Sequence, residues 1–435
     1  MKRGFYTIMA AQFFSSLADN ALLIAAIALL RELDSPDWTT PLLKLFFVIS
    51  YVVLAAFVGA FADAYPKGRV MFMTNTIKIA GCMMMFAGLH PLIAYAVVGF
   101  GAAAYSPAKY GILTELLPPE KLVVANGWIE GLTVSSIILG VLLGGFLVSP
   151  KISASLLSFD LPGLHTAIDT PAESAILIIA TVYLIAALFN LRIPDTGARY
   201  PKQETNPLRL FADFAHCCAV LWKDKLGQIS LAVTTLFWGA GATLQFIVLK
   251  WAEKALGLGL SQGAYLQAVV AIGIAGGAIA AAARIPLRQS LSVLRFGVAM
   301  GVVVLVLAAY HREFIPDIRV LGLPLYLLLA SILLITVGAM AGYFVVPMNA
   351  LLQHRGHVLM SAGHSIAVQN FNENLGILVM LLFYASLIWL DAPVQLVIVF
   401  FGLFVAGSML LVIKKHRTNQ QAFDSVALIP DGKHY

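Results

Sequence analysis

The chain has 435 residues, of which 60% are hydrophobic and only 11% are charged. Because roughly a quarter of the residues in a soluble protein are charged, this composition excludes an ordinary soluble enzyme and indicates a protein built to lie in lipid. The net charge of +6 is typical of the orientation signal of such a protein, and we predict no nucleic-acid partner.

Twelve apolar runs are long enough to cross a bilayer, which takes about 20 apolar residues in a helix. They are residues 5–30, 42–62, 70–89, 91–117, 122–148, 173–191, 229–252, 263–284, 290–309, 321–348, 361–388 and 393–413. The first run contains Asp19 and Asn20 and is too long for the apolar core of a signal peptide, so we interpret it as a retained span. Most of the 28 Lys and Arg residues fall on one side, which predicts cytoplasmic termini.

The longest polar interval, residues 192–228, separates the sixth and seventh runs. Within it, Asn206 and Pro207 are typical of a helix start, and apolar residues then recur at helical spacing. We predict an amphipathic helix lying on the inner leaflet, with a short soluble linker helix as the alternative. The predicted domains are an N-terminal six-helix bundle (1–191), the linker (192–228), a C-terminal six-helix bundle (229–414) and a cytoplasmic tail (415–435).

The two halves resemble each other around one proline-containing block. "YSPAKYGILTELLPPEKLVVANGWIEG" aligns with "FVVPMNALLQHRGHVLMSAGHSIAVQNFNENLG" after a four-residue insertion. The matched positions are Pro107 with Pro347, Lys109 with Asn349, and Asn126 with Asn370. Two parallel repeats of six spans describe the major facilitator architecture, in which substrate binds near the bilayer midplane between the repeats. The sequence therefore predicts an all-α polytopic membrane protein with the major facilitator fold, its 12 helices forming two pseudo-symmetric bundles.

The loop after the second run, "GAFADAYPKGR", resembles the loop signature of the same superfamily, although it departs from it at two positions. Asp63 can accept hydrogen bonds from the N-terminus of a neighbouring helix. Lys67 and Arg69 are placed to anchor the inner face. We predict a gating role for these three residues.

Charged groups inside the apolar runs indicate a site, because burying one at the bilayer centre costs about 2.5–3.5 kcal/mol. Asp19, followed by Asn20, lies near the middle of the first run. We predict that it binds a cation or a headgroup amine, and an acid paired with another helix is the alternative. Lys78 in the third run carries a weaker signal.

Lys109 and Glu130 each lie nine residues from the turn between the fourth and fifth runs. Folding the chain there brings both to one depth, roughly 13 Å from the turn. A pair that opens would offer Lys109 to a phosphate and Glu130 to an ammonium, and a closed pair would latch the inner face. A permanent structural pair and a lysine that snorkels to the surface are the alternatives. Glu115, nearer the helix end, is predicted to touch the inner interface.

Polar side chains of the second half are mostly neutral and dense enough to line a cavity. Amides that simply bond across helices are the alternative. These side chains are Asn349, Gln353, Gln369, Asn370, Asn372, Glu373 and Asn374. The residues of this region predicted to bind the substrate are Asn349, Gln369, Asn370, Glu373 and Asn374, together with Tyr105 and Asn126 of the first half.

The sequence contains no nucleotide-binding P-loop, no nucleophile elbow and no His-x4-Asp acyltransferase motif. We therefore predict no enzymatic activity and no cofactor. His354, His357 and His364 cluster without a carboxylate at ligand spacing, so we predict no metal site.

Collected in chain order, the polar blocks are "SSLADNALL", "GAAAYSPAKYGILTEL", "ANGWIE", "TLFWGAGATL", "AVVAIGI", "YFVVPMNALLQHRG" and "IAVQNFNEN". They are similar to those of the bacterial lysophospholipid transporter family. The resemblance implies a flippase that moves lysophosphatidylethanolamine and lysophosphatidylglycerol across the bacterial inner membrane, for reacylation by an acyl-acyl carrier protein synthetase and acyltransferase. Gln245 stands where the family often has arginine, with Lys250 five residues later, so we transfer no phosphate-binding role to Gln245.

The leading prediction is transport of lysophospholipid by a monomer through alternating access. A proton-coupled efflux transporter of amphipathic drugs, with Asp19 as proton carrier, is one alternative. A non-transporting scaffold for an acyltransferase is the other. The coupling ion, the headgroup preference and the direction of transport stay open.

Overall fold

The computed structural model describes residues 3–35, 39–149, 152, 170–201, 203–204, 206–258, 260–320, 322–390 and 392–429. This part of the chain forms fourteen α-helices and two strands of two residues each. The helices are α1 (Arg3–Glu32), α2 (Thr39–Val53), α3 (Ala55–Ala64), α4 (Lys67–Phe86), α5 (Pro91–Leu116), α6 (Leu122–Leu147), α7 (Pro171–Leu191), α8 (Pro207–Lys223), α9 (Gly227–Leu256), α10 (Leu260–Arg284), α11 (Leu294–Ala309), α12 (Leu325–Leu359), α13 (Ala362–Trp389) and α14 (Val394–Ala422). Strands β1 (Arg319–Val320) and β2 (Leu323–Pro324) pair antiparallel.

Each of the twelve predicted spans coincides with a helix or, for the second, with the pair α2 and α3. Among the described residues, ten helices are long and apolar enough to cross a membrane, and the pair bent by 66° makes an eleventh candidate. The predicted third span, α4, falls outside these candidates and carries Lys67, Arg69 and Lys78. The chain is an all-α multi-pass membrane protein, as the sequence predicted.

Helix α8 lies within the predicted linker and begins as predicted. The Asn206 side chain accepts a hydrogen bond from the Leu208 backbone at 3.0 Å, which satisfies one of the unpaired donors of the first turn. Phe211 packs edge-on against Phe57 of α3, with ring centroids 5.1 Å apart, whereas Leu208 is 80% exposed. The helix therefore has both a packed and an open apolar surface, and its location on the inner leaflet stays a prediction.

The described chain divides into two compact units. The first unit is Met1–Leu116, Ser135–Cys217 and Met360–Phe371, and the second is Leu117–Val134, Cys218–Leu359 and Asn372–Tyr435. Each unit thus contains a short segment from the other half of the sequence, namely the start of α6 in the second and the start of α13 in the first. The predicted domain boundaries at residues 191 and 229 stay a prediction.

Apolar side chains of α1, α4, α5 and α7 form the main core of the first unit. In the same unit, α6 approaches α1 closely because of two glycines spaced by four residues. A Cβ at Gly140 would lie 2.6 Å from the carbonyl oxygen of Leu17, and one at Gly144 would lie 2.7 Å from that of Ala21. Small residues at such spacing let helix backbones meet in lipid, where apolar burial alone drives no association.

In the second unit, α10 and α12 also pack closely, and here both helices contribute glycines. Gly273 and Gly277 of α10 face backbone atoms of α12, and Gly338 and Gly342 of α12 face backbone atoms of α10. A side chain at any of the four would collide with the neighbouring main chain. This interlocked seam holds α12 in place, and α12 carries several of the polar residues described below.

Asp224 stabilises the junction between the linker and the second unit. It accepts hydrogen bonds from Arg355 Nε at 3.2 Å and Nη2 at 2.7 Å, and from the backbone of Gly227 at 2.7 Å. Burial raises the pKa of Asp224, but the hydrogen bonds from Arg355 and Gly227 outweigh it, so the pKa lies below its usual value. In the linker, the exposed Asp195 has a pKa lowered to about 2 by its hydrogen bond with Arg199.

The glycine seam yields the first prediction. Replacing Gly277 with alanine should destabilise the protein by about 1–3 kcal/mol, because the added methyl overlaps the α12 backbone. Gly276→Ala is the matched control, since nothing lies within 4 Å of that position. Thermal unfolding of the purified protein in detergent measures both. Equal melting temperatures for the two variants would show that the seam does not limit stability.

Asp224 yields a second prediction, about pH. Its depressed folded-state pKa means that the Arg355 contact stabilises the protein above the unfolded-state pKa of about 3.9 and is lost as pH falls through the folded-state value. Asp224→Asn should therefore destabilise the protein at pH 7, by on the order of 3 kcal/mol, and flatten the acid limb of the stability profile. Glu253→Gln is the control, because the Lys250–Glu253 pair is exposed and contributes little. Parallel profiles for the wild-type protein and Asp224→Asn would contradict this prediction.

Candidate substrate site and gate

Asp19 lies at the centre of a polar cluster in the first unit. Lys78 Nζ of α4 is 2.9 Å from both carboxylate oxygens of Asp19, and the Tyr183 hydroxyl of α7 donates to Asp19 at 2.6 Å. The Lys78 side chain is 1% exposed and the Asp19 side chain 21% exposed. Asp19 is thus an acid paired with another helix, which was the alternative interpretation of the sequence. Its role as a ligand for a headgroup amine stays a prediction, and such an amine would have to compete with Lys78.

Aromatic rings and small polar groups surround the Lys78 ammonium. Its Nζ is 5.0 Å from the centroid of Tyr105 and 5.5 Å from that of Tyr183, distances that allow cation–π attraction. Lys78 also donates to Ser15, which in turn donates to Asn75 at 2.8 Å. Among the described residues, the Asn75 side-chain nitrogen has no acceptor although it is buried. A buried donor without a partner costs about 1–3 kcal/mol, so this cluster can gain energy from a polar ligand group.

Two side-chain bridges connect α6 and α12 in the second unit. Asn126 and Gln353 exchange a pair of hydrogen bonds, each 2.9 Å long. Asn349 donates to the Glu130 carboxylate at 3.3 Å. All four side chains are buried. The structure thus brings together Asn126, Asn349 and Gln353, three of the polar residues singled out from the sequence, with Glu130, the predicted partner of Lys109.

A corresponding bridge connects α13 and α5 in the first unit. The Asn370 side chain donates to the Ser106 hydroxyl at 2.8 Å, and the neighbouring Gln369 and Tyr105 are also buried. Asn370 and Asn126 are matched positions of the predicted repeat. Asn126 bonds to α12, and Asn370 bonds to α5. These two partner helices correspond to each other in the repeat, because they carry the matched prolines. The two bridges therefore join corresponding pairs of helices, although the partner residues Ser106 and Gln353 are not matched positions.

The remaining predicted site residues are distributed between the two units. Lys109, in the first unit, has its Nζ 4.2 Å from the ring centroid of Tyr110. Its predicted partner Glu130 belongs to the second unit, so the Lys109–Glu130 pair stays a prediction. Asn20 donates to a backbone carbonyl of its own helix. Glu373 is buried in the second unit, and Asn374, beside it on α13, is partly exposed.

Asp63 closes the N-terminus of α13. Its carboxylate accepts hydrogen bonds from the backbone nitrogens of Gly363 at 3.0 Å and His364 at 3.3 Å, from the Ser361 hydroxyl, and from His364 Nδ1 at 2.9 Å. The positive end of a helix dipole favours a carboxylate at this place. The predicted contact of Asp63 with a helix N-terminus is therefore present, and its gating role stays a prediction.

Lys67 links Asp63 to a second carboxylate. Its Nζ is 2.5 Å from Asp63 and 3.4 Å from Glu115. Glu115 also accepts from Tyr200 at 2.8 Å and from Thr196 at 2.7 Å, both in the linker. The Glu115 side chain is only 2% exposed, because Thr196 and Tyr200 of the linker contact it. Its predicted location at the inner membrane interface stays a prediction. Burial, followed by the charge of Glu115, raises the pKa of Tyr200, which therefore stays a hydrogen-bond donor.

Three other cations or amides singled out from the sequence lie outside these clusters. Arg69 is exposed in the first turn of α4. Lys250 pairs with Glu253 at 3.6 Å on the surface. Gln245 is exposed, and its backbone carbonyl accepts from the Gln267 side chain. Within the described part of the chain, these positions show no polar cluster comparable with that of Asp19.

The reciprocal amide pair yields a third prediction. Asn126→Leu should destabilise the protein by about 1 kcal/mol or more, because it leaves the Gln353 amide buried without its partner. Combining it with Gln353→Leu should recover part of that loss, with a coupling of at least about 0.5 kcal/mol in a double-mutant cycle of unfolding free energies. Strictly additive effects would show that the two amides are energetically independent.

Comparison with known proteins places these features in a family. The sequence model of the Major Facilitator Superfamily matches residues 8–380. The lysophospholipid transporter LplT of Yersinia enterocolitica serotype O:8 is 41% identical over 395 residues, which cover 91% of this chain and 89% of that protein. The lysophospholipid transporter LplT of Yersinia pestis (strain Pestoides F) is similar to the same extent.

Solved structures agree with this placement at the level of the fold. The Major Facilitator Superfamily transporter FucP in the outward conformation superimposes with a TM-score of 0.69 at 12% identity, over 95% of this chain and 98% of that one. A bacterial homologue of the iron transporter ferroportin in an outward-facing state gives a TM-score of 0.67 at 15% identity, over 97% of this chain and 100% of that one. The chain belongs to the lysophospholipid transporter family of the Major Facilitator Superfamily.

Proposed function

We propose that this protein moves lysophospholipids across the bacterial inner membrane by alternating access. Its substrates are lysophosphatidylethanolamine and lysophosphatidylglycerol, which are then reacylated. The observation that carries the proposal is the buried Asp19–Lys78 ion pair, set among tyrosines in a chain 41% identical to relatives named lysophospholipid transporters. Ionisable groups within spans mark substrate pathways by default, because their burial is costly.

The ion pair suits a headgroup that carries both charges. A phosphate that approaches Lys78 takes the place of the Asp19 carboxylate, and an ammonium that approaches Asp19 takes the place of the lysine. A zwitterionic headgroup can therefore replace the Asp19–Lys78 ion pair with two ion pairs between protein and substrate. Neither Asp19 nor Lys78 is then left buried without a counter-ion. The 21% exposure of the Asp19 side chain and the unfilled donor of Asn75 support access by a polar ligand.

Lys109 and Glu130 supply a second pair of charges in this proposal. Lys109 offers a point charge to the phosphate, and Glu130 accepts from an ammonium in place of Asn349. The amide-rich wall that includes Gln369, Asn370, Glu373 and Asn374 completes the polar pathway. The single acyl chain of the substrate stays against apolar side chains.

Alternating access requires that polar bridges break and form again. The Asn126–Gln353 and Asn370–Ser106 bridges are neutral hydrogen bonds, which contribute about 0.6 kcal/mol each on average in membrane proteins. Exchange of such bonds between two states is therefore inexpensive. Asp63 and Lys67 form a charged contact with the α13 N-terminus and with α5, and we assign these residues, with the exposed Arg69, to the gate.

The remaining parts of the proposal concern location and partners. The protein lies in the inner membrane with both termini in the cytoplasm, as the distribution of Lys and Arg indicates. It works as a monomer and delivers lysophospholipid to a cytosolic acyl-acyl carrier protein synthetase and acyltransferase. Efflux of amphipathic drugs driven by protons is a separate candidate, because Asp19 is a carboxylate inside a span, and it is distinguished by the experiment below.

The proposal leads to a fourth prediction. Asp19→Asn and Lys78→Gln should each reduce flux of labelled lysophosphatidylethanolamine into proteoliposomes by at least tenfold, because each leaves the other charge buried without its counter-ion. Lys250→Gln, which removes an exposed cation paired with Glu253, should transport like the wild-type protein. Correct folding of each variant is checked by its melting temperature.

Three results would contradict the proposal. Wild-type flux in both folded ion-pair variants would remove Asp19 and Lys78 from the pathway. Absence of lysolipid flux in the wild-type protein, together with gradient-dependent efflux of a cationic amphipathic dye, would favour the drug transporter. Lack of flux for both compounds would favour a scaffold.

A further inference from the structure

A groove of about 510 Å³ lies between the ends of α11 and α14 in the second unit, and its lining residues belong to these two helices. One part of its lining is cationic and the other apolar, and no acidic residue lines it. The cations are Arg295, Lys414 and Arg417, and the apolar residues include Val298, Leu410 and Ile413.

Close packing of the two helices makes the groove a fixed feature. A Cβ at Gly301 of α11 would lie 2.6 Å from the backbone nitrogen of Ala406, and one at Gly297 would lie 2.9 Å from the Met409 side chain. On α14, Gly402 faces Leu305 in the same way. Small residues thus bring the two helices together in lipid, next to the residues that line the groove.

Some cations in the described part of the chain are paired with carboxylates, and the three groove cations are not among them. Lys67, Lys78, Arg199, Arg209, Lys250 and Arg355 each form an ion pair with a carboxylate. Among the described residues, no such ion pair involves Arg295, Lys414 or Arg417, and all three are exposed. Lys414 and Arg417 lie three residues apart, on one face of α14, so their charges repel each other unless an anion lies between them.

We propose that this groove binds an anionic phospholipid of the bilayer. The phosphate diester lies among Arg295, Lys414 and Arg417, and an acyl chain follows the apolar wall of Val298, Leu410 and Ile413 toward the membrane interior. Basic pockets between spanning helices are suited to anionic lipid headgroups. With the predicted orientation, this end of α14 faces the inner leaflet.

The combination of charge and apolar wall favours a lipid over a dissolved anion. Three exposed cations at the surface hold free phosphate only weakly, because water and salt screen them. An apolar wall adds nothing to phosphate binding, whereas it adds to lipid binding with every buried methylene. The site is distinct from the Asp19 cluster, and its occupant is a resident lipid with two acyl chains.

The test compares two lipids on the purified full chain in detergent. Dioleoylphosphatidylglycerol should bind, as counted by native mass spectrometry, and raise the melting temperature, whereas dioleoylphosphatidylcholine should do neither at equal concentration. Each of Arg295→Gln, Lys414→Gln and Arg417→Gln should weaken phosphatidylglycerol binding about fivefold, and the triple variant on the order of 100-fold. Lys415→Gln is the matched control, since Lys415 is exposed on the same helix and does not line the groove.

Several outcomes would overturn the proposal. Equal binding of the two lipids would show that the negative charge is not recognised, and unchanged binding in the triple variant would place the lipid elsewhere. An equal loss in Lys415→Gln would indicate diffuse attraction to the basic end of α14. Full displacement of phosphatidylglycerol by 10 mM inorganic phosphate would indicate a site for a soluble anion.

The substitutions are on exposed side chains, so the variants are expected to fold, and their melting temperatures without added lipid verify this. Lipid binding is measured without any transport. The result is therefore independent of whether the chain moves lysophospholipid, and failure of one proposal leaves the other standing.

Discussion

The cost of a charge in hydrocarbon is the constraint on which the rest of this structure depends. Each charged side chain within a helix bundle needs a counter-ion, a hydrogen-bonding shell or a helix terminus, because an isolated charge there costs several kcal/mol. Asp19 is matched by Lys78 and Tyr183, and Asp63 by Lys67 and the N-terminus of α13. The positions of these partners fix how α1, α4, α7 and α13 can rotate. Charge pairing thus specifies helix orientation in a medium where apolar contact does not.

Close packing of helix backbones through glycines restricts the sliding of helices, which charge pairing alone does not. Helices α10 and α12 meet through four glycines, and α11 and α14 meet through a similar set. These seams leave little freedom to slide, whereas the amide bridges between α6 and α12 and between α5 and α13 can exchange partners at small cost. The molecule therefore combines rigid seams within each compact unit with weak polar bridges, a division that suits a transporter with two states. Asn126 and Asn370, which match in the predicted repeat, each form one of these interhelical hydrogen bonds.

The sequence predicted the spans well because a span depends on local composition, which a single chain displays directly. The Asp63 contact was also predictable, since the signature loop places that residue beside a helix start. The partner of Asp19 was not, because the choice of Lys78 depends on how two helices turn about their axes. The burial of Glu115 was not predictable either, because Thr196 and Tyr200 contact it from a distant part of the chain. Tertiary contacts of this kind leave no periodic pattern.

Each compact unit includes a short segment from the other half of the sequence, and this has a consequence for biogenesis. The second unit includes residues 117–134 from early in the chain, and the first includes residues 360–371 from late in it. During synthesis the first unit therefore stays incomplete until the eleventh span has been made, although most of its helices are inserted long before. Throughout that interval, Asp63 lacks the backbone hydrogen-bond donors of Gly363 and His364. Until then Lys67 is the available partner of Asp63, and completion of the chain supplies the remaining hydrogen bonds to its carboxylate.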